Sequence, residues 1–133
     1  MKVMAILPDN AFALAMPAWR ELVIAWQDLD SLPRKWSEIL SQWRGIYYIF
    51  DRSERKGYVG SAYGEENVLG RWRNCAARGN GGNRLLRGRD PQNFEFSILE
   101  RTSRDMPAEE VIAREVTWKV RLHSRAPDEL NSN

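Results

Sequence analysis

The run from Gly45 to Gly60 constrains this chain most. It reads Gly45-Ile46-Tyr47-Tyr48-Ile49-Phe50, a polar segment from Asp51 to Gly57, then Tyr58-Val59-Gly60. Aromatic and β-branched residues on either side of a charged, glycine-ended segment specify a β-hairpin. Alternation assigns Ile46, Tyr48 and Phe50 to one face and Tyr47 and Ile49 to the other. An ordinary core hairpin would account for all of this.

The remaining chain, 133 residues in total, is about one domain's worth. Residues 1–133 read as a single domain in which a helical or extended leader, 1–44, packs on a core, 45–133. Within the leader, Arg20 to Trp26 is a short strand or a buried helical turn, which periodicity does not decide. After Pro33, Trp36, Ile39, Leu40 and Trp43 recur at helical spacing and predict a helix over 34–43. Val68, Leu69, Trp72, Cys75 and Ala76 predict a second helix over 66–78, and Gly79 to Asn83 a loop. Phe94 to Glu100 alternates Phe94, Phe96, Ile98 and Glu100 against Glu95, Ser97 and Leu99, giving a third strand. Asp105 can cap a last helix running to about His123, with Pro107, Glu109 and Glu110 in its first turn. Its apolar stripe holds Ala108, Val111, Ile112, Trp118 and Leu122. Glu115 falls inside that stripe, where an unpaired carboxylate would cost several kcal/mol. The ordinary explanation is an ion pair, to Lys119 one turn on or to Arg71. The fold expected is α/β (α+β), a small three-stranded, mostly antiparallel sheet flanked by helices.

Formal charge is only +2, but its distribution is uneven. Between Asn67 and Arg89 stand six arginines (Arg71, Arg73, Arg78, Arg84, Arg87 and Arg89) and no acid. Such a block offers phosphates a positive field regardless of nucleotide sequence, although a solvated helix face and a basic loop explain it equally well. One cysteine, Cys75, rules out an internal disulfide and suits a reducing cytoplasm. Ala11 to Met16, preceded by Asp9 and Asn10, is too short for a signal peptide, and no window reaches transmembrane length, so no membrane partner is expected. A single histidine, His123, argues against multi-histidine zinc sites and histidine-based nucleases. A metal here would be held by oxygens, which favours Mg2+ or Mn2+.

The triplets Gly45-Ile46-Tyr47 and Tyr58-Val59-Gly60, at their spacing, resemble the signature of the GIY-YIG nuclease superfamily, with Val59 for the usual isoleucine. Downstream, Gly70-Arg71-Trp72, the strand from Phe94 to Glu100 and Arg114-Glu115-Val116-Thr117-Trp118 resemble that family's later elements in order. The similarity extends over 45 to about 131. One departure is Cys75, four residues after Arg71, where the family commonly has histidine or tyrosine; a thiol replaces neither well, which implies either reduced activity or another residue, such as Tyr63 or Arg73, in that role.

The resemblance implies a metal-dependent DNA endonuclease, a phosphodiester hydrolase acting with one Mg2+ or Mn2+. Tyr47 would orient or deprotonate the attacking water, with Tyr58 in the same network. Arg71, with Arg73 as the reserve candidate, would contact the phosphate, and Glu115 would hold the metal. Asn131 would support the site, with Asn133 competing for that place. The DNA backbone would lie on Arg73, Arg78, Arg84, Arg87 and Arg89. A free phenol, pKa about 10, is a reluctant base, so Tyr47 needs a hydrogen bond or a nearby cation. Three other readings stand beside this one, of which a protein-interaction domain with an incidental basic patch would show no salt-dependent DNA affinity. Glu54-Arg55-Lys56 ends like another nuclease signature, its partner being Asp28 or Asp30, but turn chemistry explains it. A nucleic-acid-binding module that keeps the hairpin and basic helix but has lost catalysis is the alternative from another class. Sequence specificity would come from loops, residues 1–44, dimerisation or a partner.

Overall fold

The computed structural model describes residues 16–78 and 90–122, with the backbone alone at Arg78. The expected loop at 79–83, Arg84, Arg87, Arg89, His123, Asn131 and Asn133 lie outside the described residues. In chain order the elements are β1 (Val23–Ala25), a 3-10 turn (Trp26–Ser31), α1 (Arg34–Leu40), β2 (Arg44–Asp51), β3 (Lys56–Ala62), α2 (Val68–Arg78), a 3-10 turn (Pro91–Asn93), β4 (Phe94–Thr102) and α3 (Ala108–Arg121).

The chain is mixed α/β with an antiparallel sheet, but the sheet has four strands, in the order β1-β4-β2-β3. The strand beyond the expected three is β1. It pairs Val23 with Ser97, Ile24 with Phe96 and Ala25 with Glu95, and three residues are too few to carry a period. Only the distant partner β4 makes it a strand.

The hairpin forms as its alternation requires. Tyr48 faces Val59 and Tyr47 faces Gly60 across the β2–β3 ladder. Asp51 closes the turn, accepting from the Ser53 backbone N–H at 2.9 Å and its hydroxyl at 2.6 Å, with Arg55 at φ 56°. Tyr47 and Ile49 enter the larger core with Leu22, Ile24, Leu40, Leu69, Trp72 and Phe96. Ile46 and Val59 enter a smaller core under Val111, with Tyr48, Leu99 and Trp118 packed against it. The sheet is therefore covered by α1 and α2 on one side and by α3 on the other.

A β-bulge alters the last part of β4. Ile46 pairs with Glu100 but Tyr47 with Ile98, so Leu99 is the extra residue. Glu100, expected beside Phe96 and Ile98, is thereby carried to the α3 side, where it accepts from Trp118 Nε1 at 3.1 Å and pairs with Arg114.

The helices are shorter than their patterns suggested. α1 stops at Leu40, because Trp43 turns its carbonyl to the Val68 N–H at 2.9 Å and β2 begins at Arg44. In α2, Asn67 caps the first turn, its Oδ1 accepting from the Gly70 N–H at 2.7 Å. The cap position of α3 is Pro107, with no side-chain cap bond; Asp105 instead lies in the preceding turn, its N–H donating to Ser103 Oγ. The α3 stripe is met in part, with Trp118 and Leu122 packed against the cluster that contains Val111. Val111 and Lys119 are buried, whereas Ala108 and Ile112 are exposed. Among the described residues no helix is long and apolar enough to cross a membrane.

Candidate active site

β3 is an edge strand, and the site lies along it, where α2 and α3 approach from opposite faces of the sheet. A pocket of about 270 Å³ is lined by Tyr58 and Ser61 of β3, Tyr63 and Glu66 of the connection to α2, Arg71 of α2, and Ile112 and Glu115 of α3. A second hollow of about 210 Å³ shares Glu66 and Arg71 and continues past Asn67, Gly70 and Asn74. Arg71 thus stands between the two.

Tyr47 is behind this pocket rather than in its wall. It is 2% exposed, edge-on to Trp72 at 6.4 Å and 6.3 Å from the Tyr58 ring. Gly60 makes room for it, since a Cβ there would lie 2.5 Å from Tyr47 Cζ and Oη. Arg71 Nε donates to Tyr47 Oη at 3.4 Å, and its Nη1 lies 3.4 Å from Glu66 Oε1.

These contacts set the protonation of the site. Burial pushes the Tyr47 hydroxyl well above the usual phenol range, and the neighbouring Tyr58 adds to this; the Arg71 cation and its hydrogen bond oppose the rise without cancelling it. Tyr58 is raised too, first by burial and then by the Glu115 carboxylate, against Arg71 and a hydrogen bond with Tyr47. Burial acts to lower Arg71, but Tyr47, Glu66 and Tyr58 outweigh it and hold the guanidinium firmly protonated. Both phenols therefore keep their protons at neutral pH. The cation that Tyr47 needs is present, yet burial wins over it. Cys75, behind Arg71, is 1% exposed, and burial pushes its thiol up to about 12, so it holds its proton as well.

Glu115 is held on both oxygens. Ser61 Oγ donates to Oε1, and Lys119 Nζ lies 2.7 Å from Oε2. Lys119 is 2% exposed, unusual for a lysine, and it does not line the pocket. The ion pair that the sequence offered as the ordinary explanation of Glu115 is formed, while Glu115 also faces the pocket.

Among the described residues no three or more His, Cys, Asp or Glu side chains gather where they could hold one ion. Mg2+ does not require such a cage; it keeps several waters and takes one or two carboxylates plus substrate phosphate. Glu115, a carboxylate with lone pairs beyond the two in use, fits that kind of binding, with Glu66 on the same wall.

Of the residues named from sequence, Tyr58, Arg71 and Glu115 meet in the pocket and Tyr47 supports them from behind. Tyr63 also lines it. Arg73 is exposed on α2 and lines neither hollow. Glu54 and Arg55 lie in the exposed hairpin turn, away from the pocket. Sequence reasoning missed Ser61 and Glu66. Ser61 was detectable by pairing, since it lies opposite Ile46 and so shares the face that α3 covers. Glu66 precedes the helix and had no periodic signal.

No protein-family model, curated protein or solved structure matches this chain.

Proposed function

We propose that the chain is a metal-dependent DNA endonuclease hydrolysing phosphodiester bonds at the pocket beside β3, on a GIY-YIG type of site. The observation that carries this reading is that Arg71 and Glu115, from helices on opposite faces of one sheet, line a single open pocket together with Tyr58. Scattered motif residues have no structural need to converge on solvent.

Hydrolysis of a phosphodiester needs a placed water, neutralisation of the phosphoryl oxygens and help for the leaving oxygen. Arg71, firmly protonated and steadied by Tyr47, supplies fixed positive charge for the phosphoryl oxygens. Tyr58, whose raised pKa keeps it a phenol, orients the attacking water through its hydroxyl. Glu115 would hold the metal, with Glu66 close by, and the metal when bound supplies Lewis-acid help to the phosphate and leaving group. Tyr47, behind the wall, aligns Arg71 and Tyr58. The exposed Arg73 and the basic segment after it are suited to backbone contacts.

The second reading, a nucleic-acid-binding module without catalysis, is favoured by one observation: both oxygens of Glu115 already have partners. Supercoiled plasmid incubated with Mg2+ or Mn2+ decides between them. The nuclease reading expects nicking or linearisation that is lost in Glu115→Ala while DNA binding persists. Intact plasmid with wild-type protein across salt and pH, alongside salt-dependent DNA binding, would transfer the assignment to the binding module.

A further inference from the structure

Among the described residues the acids of the pocket wall are paired. Glu66 lies against Arg71 and Glu115 against Lys119, so two formal negative charges meet two positive ones. Lys119 cannot swing into solvent as a surface lysine does, because its side chain is 3% exposed and follows Glu115 by one helical turn. A bare divalent cation approaching Glu115 therefore meets a carboxylate already neutralised by a fixed ammonium, with no second unpaired acid among the described residues of the pocket wall to compensate. A phosphodiester changes this balance. It brings a negative charge of its own, and in taking Arg71 it releases Glu66, whose pairing is half-exposed and weak.

Resting on the nuclease reading above, we propose that Lys119 makes metal binding conditional on the substrate: the pocket takes its divalent cation together with a phosphodiester and holds it poorly alone. Lys119 acts through Glu115, fixing the carboxylate from behind and withholding it from free metal. Linkage then requires the metal to tighten phosphodiester binding by the same factor by which the phosphodiester tightens metal binding. The device would keep a pocket of this kind from holding metal idly.

The test is Mn2+ binding, read as free Mn2+ by electron paramagnetic resonance, with and without a phosphorothioate-linked oligonucleotide that resists cleavage. The Glu115→Gln protein serves as the blank for Mn2+ held by the oligonucleotide itself. Wild-type protein is expected to bind Mn2+ at least tenfold more tightly with the oligonucleotide than without. Lys119→Met is expected to bind Mn2+ alone at least tenfold more tightly than wild type, while Lys119→Arg, which keeps the charge, stays like wild type. Equal Mn2+ affinity of the wild type with and without oligonucleotide overturns the proposal, and so does a folded Lys119→Met no tighter than wild type. Removing one partner of a buried ion pair is destabilising, so if Lys119→Met does not fold the wild-type comparison decides. Plasmid cleavage separates the two failures. If Glu115→Gln abolishes cleavage but Mn2+ affinity ignores the oligonucleotide, this inference alone falls; if Glu115→Gln cleaves like wild type, the nuclease reading falls and takes the inference with it.

Discussion

The guanidinium of Arg71 donates from Nε to the hydroxyl of Tyr47 at 3.4 Å, so a residue sealed in the core aims one that faces solvent. Tyr47→Phe keeps the ring against Trp72 and removes only the oxygen. The expected stability loss is about 1–2 kcal/mol, because the hydroxyl bonds both Arg71 and Tyr58 and one hydrogen bond is worth about 1 kcal/mol net, measured by urea titration. On the nuclease reading, cleavage falls by roughly tenfold, about 1.4 kcal/mol of lost positioning, and affinity for duplex DNA is unchanged. Full activity in this variant would mean that Arg71 does not depend on Tyr47 for its aim.

Gly60 and Tyr47 face each other across the β2–β3 ladder, and the ring lies where a Gly60 side chain would begin. Gly60→Ala must displace the ring within a core where its edge-on neighbour Trp72 is 0% exposed. Overpacking of this sort costs about 1–3 kcal/mol. Because the clash is with one side chain, a double-mutant cycle with Tyr47→Leu should recover about 1 kcal/mol or more of it as coupling. Strict additivity would place the strain in the backbone instead.

Stability should fall on the alkaline side, and the sign follows from which state loses its proton first. Burial holds Cys75 at about 12 in the folded protein, against about 8.5 in an unfolded chain. Through that window the unfolded state binds fewer protons than the native state, so unfolding becomes easier as pH rises. Tyr47 and Tyr58, both raised, add the same trend from about pH 10 upward. Urea titrations between pH 8 and 10.5 should show a loss approaching roughly 1.4 kcal/mol per unit for each group past its unfolded pKa. Cys75→Ala, less stable at pH 8 because of its cavity, should lose distinctly less from pH 9 to 10; an unchanged slope would remove Cys75 from this account.

The hairpin and its two faces were readable because Ile46 to Ile49 alternate without interruption and each face finds a core. The bulge at Leu99 was not, since it places Leu99 and Glu100 on one face, and no composition marks that. β1 was undecidable from its own three residues. The α3 face was readable only in part, at Val111, Trp118 and Leu122. Hydrophobicity counted Ile112 as core and left Lys119 out of the apolar stripe, naming it only as a partner for Glu115, but Ile112 stands at the pocket wall and Lys119 is buried against the carboxylate of Glu115. Periodicity registers how apolar a residue is, whereas burial of a charge depends on its partner. Glu115 itself stood out because a carboxylate interrupted an apolar stripe.

Glu66 is positioned as a competitor for Arg71. Its Oε1 lies 3.4 Å from Arg71 Nη1, but its side chain is 57% exposed, and exposed pairs are worth about 0.2–1 kcal/mol. A phosphate reaching Arg71 must displace it and recover that amount. Glu66→Gln should therefore tighten duplex DNA binding by about two- to fivefold, as measured by fluorescence anisotropy at low salt. Removing any acid raises the net charge and helps binding in general, so the matched control is Glu65→Gln. Glu65 pairs with Arg104 at 3.1 Å and does not line the pocket. The excess of Glu66→Gln over Glu65→Gln isolates the contact with Arg71, and it should shrink as salt screens the pair. Equal gains from the two variants would show that Glu66 acts only through overall charge and leaves Arg71 free to meet a phosphate.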